Sequence, residues 1–291
     1  MILDPSAKSN LQGRKRLDTF FGILCQFAAG LGVLILVIFL VKIFVDGIGH
    51  VSWKFIVGEL SQRAKRTGIL PAIVGSVYVM VLTTIFSVPI GVAAAIYLEE
   101  YNRRKSRIIG IIQLNIANLS GVPSIVYGLL GRFMFVYFFG FGQSIIAGAL
   151  TMTLLILPTV IIVTQEALKA VPKSYREGSM ALGSTQWQSI RLQVLPNALP
   201  GILTGVILSI SRAIGETAPL IVVGAASYVS SLPKGLGANY TVLPIKIFDW
   251  ANESQQDFHD VAASAILVLM VGLLFINSFA IYFRARAKAK K

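Results

Sequence analysis

Six apolar stretches, separated by polar and charged segments, follow one another along this sequence. Each is long enough to cross a bilayer as an α-helix, which requires roughly 20 consecutive apolar residues. The pattern therefore predicts an all-α membrane protein with six transmembrane helices, which we place at residues 17–45, 69–98, 108–139, 144–165, 197–223 and 261–283.

The third stretch, residues 108–139, is too long for a single straight crossing, and Gly121 and Pro123 interrupt it. We expect this span to be broken or partly interfacial. A Gly-x-Pro break at membrane depth frees backbone groups that need partners, so it is tolerated only inside protein or beside a watery cavity. A kink that serves packing alone is the other explanation, and the sequence does not decide between the two.

The first stretch follows three basic residues, Arg14, Lys15 and Arg16, as the core of a signal peptide would. Its apolar run exceeds the roughly 7–15 residues of such a core, so we expect a retained helix. We divide the chain into residues 1–68, which hold the N-terminal tail, the first helix and an external segment, and residues 69–291. The second part is a five-helix core with a polar loop at residues 166–196.

Composition and charge support this class. Hydrophobic residues make up 55% of the chain and charged residues 13%, whereas soluble domains carry roughly a quarter charged residues. The net charge of +13 would elsewhere suggest nucleic acid, but here it fits the excess of Lys and Arg in cytoplasmic loops. With the amino terminus inside, cytoplasmic segments hold 17 of the 26 lysines and arginines, Arg103, Arg104 and Lys105 among them, and external segments hold six. We therefore predict cytoplasmic termini and no nucleic-acid partner.

The polar loop at residues 166–196 is typical of two short helices. Gly183 would supply the left-handed residue that stops the first helix, and Thr185 with Gln188 forms a capping box that opens the second. We expect Leu195 and Pro196 to end the second helix and begin the fifth span. A hairpin lying on lipid is the alternative, but its modest charge disfavours it because lipid-lying helices are rich in Lys and Arg.

Two ionisable residues, Arg212 and Glu216, stand near the end of the fifth stretch. Their spacing of four places them on one face of a continuous helix. Each costs about 2.5–3.5 kcal/mol at the centre of a span, so we expect both to face protein or water. Arginine can bind an oxyanion through two parallel hydrogen bonds. A mutual ion pair that only fastens the helices is the alternative, although Arg before Glu is the less favourable order. Lys42 and Arg132, near span ends, are expected to reach toward the membrane surface.

The sequence contains no phosphate-binding Gly-x-x-x-x-Gly-Lys-[Ser/Thr] loop, no zinc motif and no nucleophile elbow. We therefore predict no catalytic residue, no metal site and no cofactor. If a nucleotide drives this protein, another chain must bind and hydrolyse it.

The loop carries a family resemblance. It resembles the Glu-Ala-Ala…Gly…Leu-Pro loop of permease subunits in binding-protein-dependent ABC importers. The matching residues are Glu177, Gly183 after five intervening residues, and Leu195-Pro196. The resemblance implies that the loop docks into a groove of a cytoplasmic ATPase. Alanines are usual where Gly178 and Ser179 stand, and isoleucine where Gln193 stands. The predicted coupling residues are Glu177, Gly178, Ser179, Gly183, Trp187, Leu195 and Pro196.

Further strings are similar to the PstA-type permease subunit of the phosphate importer, over about residues 52–283. They are Ser52-Trp53-x-Phe55, the run from Gly68 to Gly75, the run from Gly121 to Ile125, Arg212-x3-Glu216-Thr217-Ala218-Pro219-Leu220, and Leu243-Pro244-x2-Ile247-Phe248-x-Trp250. The resemblance implies the type I ABC importer permease (MetI-like) fold in the inner membrane. It also implies a PstC-like permease partner, a cytoplasmic ATPase dimer and an external phosphate-binding protein. The expected substrate path contains Arg212, Glu216 and Thr217.

Other functions stay open at this point. The chain could be a permease for another oxyanion, such as sulfate, molybdate or phosphonate. It could also be a membrane enzyme acting on a lipid-linked phosphate, or a scaffold that transports nothing, although a scaffold would not need a buried arginine. The external loop at residues 226–260 is expected either to contact the binding protein, with Trp250 as an aromatic anchor, or only to pack over the helices.

Overall fold

The computed structural model describes residues 5–101, 107–225, 229 and 231–289. The basic cluster Arg103, Arg104 and Lys105 lies outside these described residues. Twelve α-helices are found in the described ranges: α1 Pro5–Ile48, α2 Trp53–Val57, α3 Leu70–Ile96, α4 Arg107–Ser120, α5 Ser124–Gly131, α6 Ile145–Lys169, α7 Lys173–Ala181, α8 Gln186–Ser189, α9 Leu195–Ile214, α10 Ala218–Val223, α11 Leu243–Ala251 and α12 Gln256–Ala289. Wider π-helical turns extend α3 (Tyr97–Tyr101), α5 (Arg132–Phe138) and α8 (Ile190–Val194).

The six predicted spans correspond to five single helical runs and one bent pair among the described residues. The bent pair is the third span, in which α4 and α5 meet at an angle of 101° across the break after Ser120. The predicted interruption at Gly121 and Pro123 is therefore confirmed. The predicted fifth span, residues 197–223, is wrong as a single helix, because α9 ends at Ile214 and α10 begins only at Ala218.

The centre of the bundle is α6, which packs against α3 along most of its length. Gly91 of α3 lies against Val160, where a Cβ atom would come within 2.6 Å of the valine side chain. Thr83 donates a hydrogen bond across the interface to the backbone oxygen of Ala149, at 3.2 Å. Small residues thus bring the two helices close enough for backbone contact, as in other membrane bundles.

The first helix lies at the edge of this bundle. Only 6% of its most apolar segment is buried within the chain, and its contact with the rest is made near its end. There the Ser264 hydroxyl of α12 donates to the backbone oxygen of Gly47 at 2.7 Å. The division of the chain at residue 68 stays a prediction.

A second apolar cluster closes the end of the bundle opposite the polar loop. It joins the segment before α3 to α11 and α12 through buried Phe55, Leu60, Trp250 and Phe258. Trp250 is only 3% exposed, so the expectation that it is an accessible aromatic anchor is wrong, because the ring fills this cluster. Residues 226–228 and 230 of the same loop lie outside the described residues.

Candidate functional site

A cavity of about 390 Å³ lies where the two helix breaks meet. The break between α4 and α5 contributes Ser120–Ser124 to the lining, and the end of α9 with the residues just after it contributes Arg212 and Glu216. Thr159 of α6 and Ser209 of α9 complete the polar lining. The Gly-x-Pro break therefore borders a cavity, which is the first of the two explanations that the sequence allowed.

The break between α4 and α5 places the amino-terminal end of α5 at the border of this cavity. The turn is closed by hydrogen bonds from Gly121 N to Asn118 O (3.0 Å) and from Val122 N to Leu119 O (3.1 Å). Within the described residues, no acceptor is found for the amide N–H groups of Ser124 and Ile125, which begin α5. The first N–H groups of a helix carry partial positive charge and favour anions.

The second break changes the relation between Arg212 and Glu216. Arg212 lies in the last turn of α9, whereas Glu216 follows Gly215 and lies beyond the helix end. The expectation that both occupy one face of a continuous helix is therefore wrong, since the helix stops before Glu216. Both still line the cavity.

No ion pair joins Arg212 to Glu216 in the described part of the chain. The alternative in which they only fasten each other is thus not what the structure contains. Arg212 is solvent-exposed and Glu216 half-buried. The predicted path residue Thr217 immediately precedes α10, just beyond the cavity lining, and its hydroxyl lies 3.5 Å from the backbone oxygen of Gly215.

The two half-helices after the breaks, α5 and α10, are packed directly on each other. At Gly128 of α5, a Cβ atom would come within 2.8 Å of Pro219 Cα. Arg132 donates from Nη1 to the backbone oxygen of Val222 at 3.1 Å, and from Nε to the Tyr137 hydroxyl at 3.3 Å. Arg132 therefore bonds the Val222 carbonyl near the end of α10, and the expectation that it reaches toward the membrane surface stays a prediction.

The polar loop contains the predicted helix stop at Gly183. This residue has φ +88°, in the left-handed region. Ser184 N donates to Ser179 O (3.2 Å) and Gly183 N to Met180 O (3.0 Å), which together form a Schellman motif. The first helix of the pair, α7, therefore ends as the sequence predicted.

The second short helix also begins as predicted. Thr185 Oγ1 accepts a hydrogen bond from Gln188 N at 3.3 Å, and Gln188 Oε1 accepts one from Thr185 N at 2.8 Å. This is the reciprocal capping box.

The expectation that Leu195 and Pro196 end this helix is wrong. α8 continues through the π-helical turn Ile190–Val194 into α9, so helix runs from Gln186 to Ile214. In that turn, Leu195 N–H bonds to the backbone oxygen of Ile190, five residues earlier. Proline normally interrupts a helix through its missing N–H and a clash with the preceding turn. The wider turn in front of Pro196 accommodates it at the start of α9.

The predicted coupling residues divide by exposure. Glu177, Gly178 and Gly183 are exposed, and Trp187 is 51% exposed. Ser179, Leu195 and Pro196 are half-buried. The exposed apolar side chain of Leu182, at 90%, adds to this surface. The loop therefore presents an apolar and polar patch on the end of the bundle.

Sequence reasoning missed the ionic contact that holds this loop. Arg176 of α7 donates from Nε to both carboxylate oxygens of Glu100 at 3.0 Å, and the Glu100 side chain is 2% exposed. The two residues are 76 positions apart, so no local spacing relates them. The available signal was Glu100 itself, a carboxylate at the end of an apolar span that needs a partner when buried.

Comparisons with known proteins agree with this architecture. The family described as "Binding-protein-dependent transport system inner membrane component" matches residues 87–289. The phosphate transport system permease protein PstA of Pasteurella multocida is 33% identical, over 86% of this chain and 88% of that protein. PstA 2 of Mycobacterium bovis is 30% identical, over 94% and 90%. The probable ABC transporter permease protein YqgI of Bacillus subtilis is 36% identical, over 62% of this chain and only 60% of that protein.

The fold is found in solved structures as well. An inward-facing structure of the MetNI methionine ABC transporter matches with a TM-score of 0.60 over 75% of this chain and 97% of that chain, at 17% identity. This confirms the predicted type I importer permease fold, in a multi-pass inner-membrane protein. The chain belongs to the family of inner membrane components of binding-protein-dependent transport systems.

Proposed function

We propose that this chain is a permease subunit of an ATP-driven importer of inorganic phosphate. Two relatives that match over at least 86% of this chain carry phosphate transport in their names. Family membership supports the transport class, and these relatives support the substrate. Permeases for sulfate, molybdate or phosphonate would share the class and differ only in the anion.

The observation that carries the proposal is the position of Arg212. Arg212 lines a cavity of about 390 Å³, within the roughly 300–1,000 Å³ of small-molecule sites. The amino-terminal end of α5 lines the same cavity. A guanidinium and a helix amino terminus both favour a tetrahedral oxyanion.

Glu216 would limit how tightly that anion binds. As a carboxylate at the same cavity, it repels a phosphate dianion and can accept a hydrogen bond from a protonated phosphate oxygen. A transported substrate must leave as well as enter, so a site with one attractive and one repulsive group suits transport. Thr217, at the start of α10, would offer a hydroxyl at the exit from this cavity.

The partners follow from the same proposal. A PstC-like subunit would form the other half of the path, and an external phosphate-binding protein would deliver the substrate. A cytoplasmic ATPase dimer would dock on the loop at residues 166–196 and hydrolyse the ATP, and both termini would be cytoplasmic. ATPase closure would then expose the Arg212 cavity alternately to the two sides of the membrane.

The test is Arg212→Gln in the assembled transporter. Glutamine keeps a polar side chain and removes the charge, so we expect phosphate uptake to fall at least about 30-fold, since charged contacts to a bound group contribute roughly 2–5 kcal/mol. Arg66→Gln is the matched control, because Arg66 is exposed and outside the cavity lining. It should transport normally. Membrane insertion and ATPase co-purification should be unchanged in both variants.

The double variant Arg212→Gln with Glu216→Gln separates a path role from a fastening role. The two residues form no ion pair in this structure, but a pair formed at another stage of the transport cycle would be lost with either residue alone, so a fastening role predicts restored transport when both are replaced. A role of Arg212 in the substrate path predicts that transport is not restored. Uptake near the wild-type rate in the double variant would refute the assignment of Arg212 to the path.

A further inference from the structure

The end of the second span carries a buried carboxylate. Glu100 lies in the π-helical turn Tyr97–Tyr101 that extends α3, and its side chain is 2% exposed. A negative charge at the carboxyl end of a helix is unfavourable because the helix dipole is negative there. Burial adds a desolvation cost. Glu100 therefore requires a strong cationic partner.

Arg176 supplies that partner and donates to three residues on two other elements at once. From α7, its Nε reaches both oxygens of Glu100 at 3.0 Å. Its Nη1 donates to Val171 O and its Nη2 to Leu168 O, each at 2.8 Å, at the end of α6. One guanidinium thus connects the first helix of the loop to the ends of α3 and α6.

The second helix of the loop is attached to the same point. Gln186, the first residue of α8, donates from Nε2 to the backbone oxygen of Glu100 at 2.6 Å. Both short helices therefore bind the turn Tyr97–Tyr101, which belongs to a span that does not flank the loop in sequence.

This attachment point leads to the cavity through α6. α3 is packed on α6 at Gly91 and Val160, and the next turns of α6 place Leu155, Ile156 and Thr159 in the cavity wall. A displacement of the loop would therefore be passed to α3 and α6 together.

We propose that Arg176 and Glu100 are positioning residues that form the joint through which movement of the loop reaches the second and fourth spans. The inference rests on the proposed function, because it assumes that an ATPase moves the loop. Neither residue touches substrate. The pair converts ATPase motion into movement of the cavity wall.

The joint itself is testable without any ATPase. The full chain in lipid nanodiscs, with its single cysteine replaced by Cys25→Ala, would carry spin labels at Ser174 of the loop and Tyr97 of the second span, both exposed. A joint predicts a narrow distance distribution between the two labels. Glu100→Gln should broaden it about twofold, since removal of one member of a buried pair is strongly destabilising. Glu99→Gln, which removes the neighbouring half-buried charge, should leave it narrow.

The second measurement is the number of ATP molecules hydrolysed per phosphate imported by the assembled transporter. Glu100→Gln and Arg176→Lys should keep the ATPase bound and raise this ratio about tenfold, because the loop would move without the spans. Glu99→Gln should leave the ratio unchanged. A merely structural role would lower ATPase binding, hydrolysis and uptake together and leave the ratio unchanged.

Either an unchanged distance distribution or an unchanged ratio in Glu100→Gln would overturn the inference. A wild-type complex that hydrolyses ATP without importing phosphate would instead refute the proposed function. In that case the distance distributions of the wild type, Glu100→Gln and Glu99→Gln would be the remaining test of the joint.

Discussion

Gly183 offers a test in which backbone conformation can be separated from steric fit. It has φ +88°, and a Cβ atom built there would have no other atom within 4 Å. The cost of Gly183→Val is therefore conformational only. A non-glycine residue in the left-handed region costs about 1–2 kcal/mol, and a β-branched side chain lies at the upper end of this range.

This cost sets the size of the expected effect on ATPase binding. Since 1.4 kcal/mol corresponds to a factor of ten, the ratio of native to altered loop conformations should fall about 5–30-fold, and this factor is the upper limit for the loss of binding-competent molecules. The apparent Kd for the ATPase rises by the inverse of the competent fraction. Titration of the ATPase subunit against the permease in nanodiscs would measure that change directly.

Gly178→Ala is the matched control. Gly178 is also exposed and also has no atom within 4 Å of its Cβ position, but it lies inside α7 with ordinary helical geometry. Alanine should stabilise this helix by about 0.5–1 kcal/mol and leave the affinity unchanged or tighter. An unchanged Kd together with normal phosphate uptake in Gly183→Val would refute the reasoning.

Three further predictions concern stability. Thr185→Ala removes the capping box and should cost about 1 kcal/mol at the start of α8, so amide exchange of Gln188 should accelerate about fivefold; unchanged exchange would contradict this. Gly75→Ala would place a Cβ atom against the backbone oxygen of Thr241 and should cost at least about 1–3 kcal/mol. Gly110→Ala is the control: a Cβ atom there would meet open space, so this variant should lose no stability. Equal yields of folded protein from Gly75→Ala and Gly110→Ala would refute the contact between position 75 and Thr241. Burial lowers the pKa of Lys246 from 10.5, although Asp249 opposes the shift. The unfolded chain thus binds more protons between that lowered pKa and 10.5, and stability should rise with pH across this window. Thermal unfolding at several pH values would measure this: the increase of stability with pH should disappear in Lys246→Met and persist in the control Lys54→Met.

The sequence predicts most of the architecture because local signals define it. Apolar length locates the spans, and the conformational freedom of Gly183 and the hydrogen bonds of Thr185 and Gln188 define the ends of the two loop helices. These signals depend on a few neighbouring residues, and the structure confirms them.

The errors arise where a local pattern fits more than one structure or where distant parts of the chain decide the outcome. Leu195-Pro196 reads locally as a helix end, yet a π-helical turn lets the helix continue. Spacing of four places Arg212 and Glu216 on one face only if the helix persists, and it ends at Ile214. A tryptophan such as Trp250 can serve either as an exposed contact for a partner protein or as part of an apolar core. Here it packs with Phe55 and Phe258 in the core. No local pattern could have paired Glu100 with Arg176.

The continuous helix from Gln186 to Ile214 carries a tilt at its loop end directly to Arg212 at its other end. From Gln186 to Arg212 the distance along such a helix is about 40 Å, at roughly 1.5 Å per residue. A tilt of about 5° applied at the loop end would displace Arg212 by about 3.5 Å, which exceeds the typical length of a hydrogen bond. A rotation that is small at the membrane surface would therefore be sufficient to break a hydrogen bond between Arg212 and a phosphate bound in the proposed site.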